Sequence, residues 1–107
     1  MQNYQGDIPI IQLNNEQLPK RLSFSPLKTD VIVAEGEAKG HYHKLQVKER
    51  DMVEIAQDQN GFYLKVNSGE AQLTHQQHGT QTIPQGIWFI GKQYEYDELK
   101  EVRRVLD

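Results

Sequence analysis

Apolar residues in this chain recur mostly at alternate positions in short runs, which is the period of a strand rather than of a helix. Ile8, Ile10, Ile11 and Leu13 form a first β-branched run, with Pro9 pointing to an edge or an irregular start. Residues 14–28, NNEQLPKRLSFSPLK, hold two prolines and little periodicity, and so predict a long excursion. Val31, Ile32 and Val33 are continuous and β-branched, as expected of a strand buried on both faces. Asn60-Gly61 predicts a tight hairpin, followed by Phe62, Leu64 and Val66 alternating with Tyr63 and Lys65. Further turn signals at 67–69 and 84–86 continue a spacing of roughly ten residues, which suggests an all-β barrel or sandwich. The tail, YDELKEVRRVLD, is ambiguous. Leu99, Val102, Val105 and Leu106 have helical spacing with Asp97 as a candidate N-cap. A short turn at 97–100 followed by a last strand is the slightly favoured reading, with a short helix as the alternative.

Alternation also orients the histidines. On one strand face His41 and His43 continue the row of Leu45 and Val47, while Tyr42, Lys44, Gln46 and Lys48 point the other way. On a later segment His75 continues the row of Ala71 and Leu73, opposite Gln72 and Thr74. His78 follows two glutamines later, where strand parity has ended and the ring is free to fold back toward His75. If the two row-ends meet, three or four imidazoles converge at one rim. Neutral imidazole ligates zinc, nickel or iron, and manganese is a further candidate. Glu37, of the same parity as His41 and His43, would add a carboxylate oxygen or orient a ligand. Two or three histidines with or without a carboxylate would leave positions open for water or a small polar molecule. The competing reading has equal standing: the histidines are half-buried hydrogen-bonding residues of a rim, or imidazoles that repel one another when they protonate together.

Composition narrows the remaining functions. The chain has 107 residues, enough for one domain with its own core, and it lacks cysteine. Disulfides, thiolate metal ligands and a thiol nucleophile are thereby excluded. A net charge of -3, with basic and acidic residues interspersed, argues against nucleic acid as the main partner. The longest apolar runs are four residues, far short of a bilayer span, and the first residues, MQNYQGDIP, show no signal-peptide pattern. The expectation is a soluble cytoplasmic protein. No phosphate-cradling glycine loop or nucleophile elbow is present. Trp88, Tyr94 and Tyr96 share parity and could floor a ligand pocket, although aromatic stripes in β-proteins more often pack as core. Exposed strand edges would suit a homo-oligomer or a partner.

Two resemblances bear on these residues. GEAKGHYH resembles the opening of the first metal-binding motif of the cupin superfamily, and Pro84 to Gly86 resembles the turn of the second. Cupins are small β-barrels, so the resemblance implies that fold. Their ligand set does not carry over, because Val47 or Lys48 stands where the carboxylate is expected and Phe89 where the last histidine is. The order QGD, GEAKGHYH, LTHQQH, PQG and QYEY…RRVLD is similar to a small family of uncharacterised bacterial and phage proteins, over nearly the whole chain. In that family Gly-Glu…Gly-His-x-His and Leu-x-His-x-x-His segments occur together. The resemblance implies a joint site of Glu37, His41, His43, His75 and His78, and it supplies no reaction.

Overall fold

The computed structural model describes residues 2–35 and 40–91. The tail from residue 92, with Tyr94 and Tyr96, and Glu37 lie outside the described residues. Ten strands follow in chain order: β1 (Gln2–Gln5), β2 (Ile8–Leu13), β3 (Ser25–Pro26), β4 (Val31–Glu35), β5 (Tyr42–Gln46), β6 (Met52–Asp58), β7 (Gly61–Ser68), β8 (Ala71–Thr74), β9 (Gln81–Ile83) and β10 (Gly86–Gly91). They build two antiparallel sheets, one ordered β1-β2-β10-β7-β6-β3 and one ordered β4-β5-β8-β9. Among the described residues no closed barrel forms. Each sheet keeps its own two edges, and the architecture is an all-β sandwich.

Inward rows from both sheets merge into one apolar core. Ile8, Ile10, Leu64, Trp88 and Ile90 from the larger sheet meet Leu45, Leu73 and Ile83 from the smaller, all at 3% exposure or less. Each such side chain contributes about 1.5–3 kcal/mol relative to remaining in water. The larger sheet also buries its outer face. The long excursion after β2, opened by a single 3-10 turn at Asn15–Gln17 that Asn14 caps, lays Leu18, Leu22 and Phe24 over Leu13, Tyr63 and Phe89. Lys65 sits on the Phe24 ring at 4.3 Å. This cover explains why β7 is buried on both faces although Tyr63 and Lys65 read as an outward row.

Two sequence expectations change, and one strand forms where none was expected. Val31–Val33 is an edge segment, not a doubly buried one: among the described residues β4 pairs only with β5, and Ile32 is 55% exposed while Val33 is 6%. A register shift between Ile32 and Ala34 accompanies that edge position. The hairpin between β6 and β7 forms, but its tip is one residue earlier than expected, because Asp58 pairs with Gly61 and leaves Gln59 and Asn60 as the loop. Asp58 Oδ1 accepts the Asn60 N–H at 2.8 Å, and among the described residues none other than glycine takes a positive φ. Finally, the polar QNYQ segment, with no apolar alternation, is a strand. It pairs with β2 through a two-residue loop at Gly6 and Asp7, where Gly6 supplies φ +58.

Candidate functional site

β5 and β8 are adjacent antiparallel strands, with Lys44 opposite Thr74 and Leu45 opposite Leu73. Antiparallel pairing brings the start of β5 to the end of β8, and those are the ends that carry histidines. Ring centroids lie 4.4 Å apart for His43 and His75, 5.7 Å for His41 and His75, 4.6 Å for His75 and His78, and 6.2 Å for His43 and His78. All four imidazoles thus belong to one contact network. His43 is buried at 3% exposure, His41 and His75 are half-buried, and His78 is exposed.

The turn after β8 is bound down at several points, which is how His78 returns to the cluster. Gln76 Oε1 accepts the Tyr42 N–H at 2.9 Å, Gln77 N–H donates to His75 Nδ1 at 3.0 Å, and Gln5 Nε2 donates to Gly79 O at 2.9 Å. From the other sheet, Gly6 lies directly beneath His78: a Cβ there would be 2.8 Å from His78 Nε2.

Gln5 is the residue that sequence reasoning missed. It is 1% exposed, and its amide nitrogen donates to Leu73 O at 2.7 Å as well as to Gly79 O. Its oxygen meets His43 Nδ1 at 2.9 Å. One signal could have found it. A two-residue loop at Gly6-Asp7 puts Gln5 opposite Ile8, and cross-strand partners point to the same face. That face is the core.

The electrostatics follow from this packing. His43 is pushed down to about 4, first by burial, then by the neighbouring His75 and His78, with Asp7 acting in the opposite direction. His75 is also lowered, by desolvation first and then by His78 and His41. Lowered basicity keeps these two rings neutral near neutral pH. Among the described residues, however, no three His, Asp or Glu side chains are oriented to share one ion as they stand. Trp88 is at 3% exposure in the main core and donates from Nε1 to Pro84 O at 2.9 Å, so its role there is packing. A cleft of about 730 Å³ is lined by Leu27, Lys48, Asp51, Met52 and Glu54 among others and includes no histidine. It is open and mixed in charge, whereas the histidine rim brings like titrating groups together, so the rim is the stronger candidate for chemistry.

A family model described as a domain of unknown function (DUF8820) matches residues 4–93, so the chain belongs to that family. No curated protein and no solved structure matches it. The matched span holds all four histidines together with Gln5 and Gly6. No helix among the described residues is long and apolar enough to cross a membrane.

Proposed function

For a member of this family of unknown function, we propose a metal-binding role: the histidine rim takes up one divalent transition ion, zinc or nickel before iron or manganese. The observation that carries the reading is the spacing of the rings. With ligand nitrogens about 2.0–2.1 Å from an ion, each ring centroid stands about 3.2 Å away, so two rings have centroids about 4.5 Å apart at a right angle and about 5.2 Å at the tetrahedral angle. The observed separations of 4.4 to 6.2 Å span those values. Rotation about χ2 swings a ring's nitrogens while leaving its centroid nearly in place, and that torsion is broad for histidine. Ion capture in this reading requires such ring rotations, since no three side chains of the described residues share an ion as they stand. An all-nitrogen set favours borderline ions over calcium or magnesium. With three rings bound, a fourth position stays open for water or a small polar ligand. His41, His43 and His75 are the proposed ligands, with His78 as the fourth ligand or a base beside them.

His75 is the ligand that must change most. Its Nδ1 accepts a backbone N–H, so in the neutral ring Nε2 carries the proton and neither nitrogen offers a free lone pair. Ion capture exchanges that hydrogen bond for a metal bond. The same bond also favours a second reading, in which the imidazoles only close the rim of the sandwich and the protein is a binding or assembly module. Untagged protein, stripped with chelator and then titrated with zinc, separates the two. One equivalent should bind, and the stabilisation should reach about 2.7 kcal/mol at a hundredfold excess over Kd. His41→Ala and His75→Ala should each abolish most of the rise in melting temperature. A wild-type melting temperature indifferent to zinc and nickel would leave only the structural reading.

A further inference from the structure

We infer that Gln5 is a positioning residue: it locks His43 in the Nδ1–H tautomer and so reserves Nε2 as that ring's donor atom. The argument is one of hydrogen-bond capacity. Leu73 O and Gly79 O are carbonyl oxygens and can only accept, so the amide end that meets both must be the nitrogen. The two protons of Gln5 Nε2 are then both used. The remaining end, Oε1, has only lone pairs to offer the His43 ring at 2.9 Å, so His43 Nδ1 must donate. Neutral imidazole carries one proton, which leaves Nε2 with the lone pair.

Position reinforces chemistry. Gln5 projects from the edge strand of the larger sheet, His43 from the second strand of the smaller, and both carbonyls belong to the β8 strand and the turn after it. A single carboxamide thereby ties the two sheets together at the rim and sets the orientation of the most buried ring in the cluster. Histidines that bind metals commonly donate their second ring nitrogen to an oxygen acceptor, which raises the basicity of the ligating atom. The consequence for metal affinity rests on the metal-binding reading above. The tautomer itself does not.

The test is long-range nitrogen–proton correlation NMR on metal-free, 15N-labelled protein at neutral pH, followed by zinc titration. Wild-type His43 should show a protonated Nδ1 and a bare Nε2. Gln5→Met keeps the volume and removes both functions; it should shift His43 toward the Nε2–H form and weaken zinc binding by about 10–100-fold. Gln5→Glu keeps an oxygen acceptor for Nδ1–H but sets its other carboxylate oxygen against the Leu73 and Gly79 carbonyls, so the folded protein should keep the Nδ1–H tautomer while losing stability. A bare Nδ1 in the wild-type protein overturns the inference, even if Gln5→Met does not fold. So does an unchanged tautomer in a folded Gln5→Met. Correct tautomers in a protein that ignores zinc would refute the metal reading and leave the role of Gln5 standing.

Discussion

The two ends of the β5–β8 ladder use one device in opposite ways. At each end a glycine of positive φ lies directly under a polar side chain: Gly6 (φ +58) under His78, and Gly69 (φ +71) under Asp51, where an added Cβ would stand 2.1 Å from Oδ1. Asp51 is satisfied locally. Its Oδ2 accepts the Lys48 N–H at 3.2 Å, its own N–H donates to Lys48 O at 2.9 Å, and Arg50 Nε lies 4.0 Å from Oδ1. The histidine end is held instead by bonds between residues 38 to 74 positions apart, through Gln5. Local saturation leaves the Asp51 end with a structural turn. Non-local support leaves the histidine end with like groups pressed together and a lone pair still on His43 Nε2, which is the condition for binding.

The largest separation between the ends should come from pH. His43 has a folded pKa near 4, below its unfolded value of 6.5, so the unfolded chain binds the extra proton between those limits. The stabilisation is therefore present above about pH 6.5 and is lost as pH falls toward 4. The ceiling is about 3 kcal/mol at 1.36 kcal/mol per unit, reduced by solvent reaching the rim. Urea midpoints should fall over that window, and less steeply in His43→Gln. Equal slopes for the two proteins would remove His43 as the source. Next in size, Gly69→Ala should cost about 2 kcal/mol through the left-handed backbone and the displaced Asp51 carboxylate. Zinc should still raise its melting temperature, because the histidine end is untouched. Gly6→Ala should cost about 1–2 kcal/mol in the same denaturation assay. Unlike Gly69→Ala, it should also weaken the zinc response, since its new methyl displaces His78. If both glycine variants respond to zinc alike, the distinction between the ends is wrong.

The all-β class and both inward rows were legible in residue order, because alternation is a local property; the choice of sandwich over barrel was not. Leu45 with His43, and Leu73 with His75, share a face on any strand of that register. The burial of Tyr63 was not legible, since it depends on where the excursion after β2 comes to rest. The exposure of Ile32 was hidden for the same reason: a run of three β-branched residues has the same composition at an edge as at a centre. At the site, the chain order specified which ring each row would carry to its end. The meeting of those ends followed from the pairing of β5 with β8, a matter of register between segments about thirty positions apart. Gln5 marks the boundary most clearly. Gly-Asp and its hairpin are written locally, yet the three groups that the carboxamide satisfies come from two other parts of the chain. Short-range periodicity determines which face a side chain takes; which partners it finds there is settled when the two sheets close, because buried polar atoms must then be matched across the core.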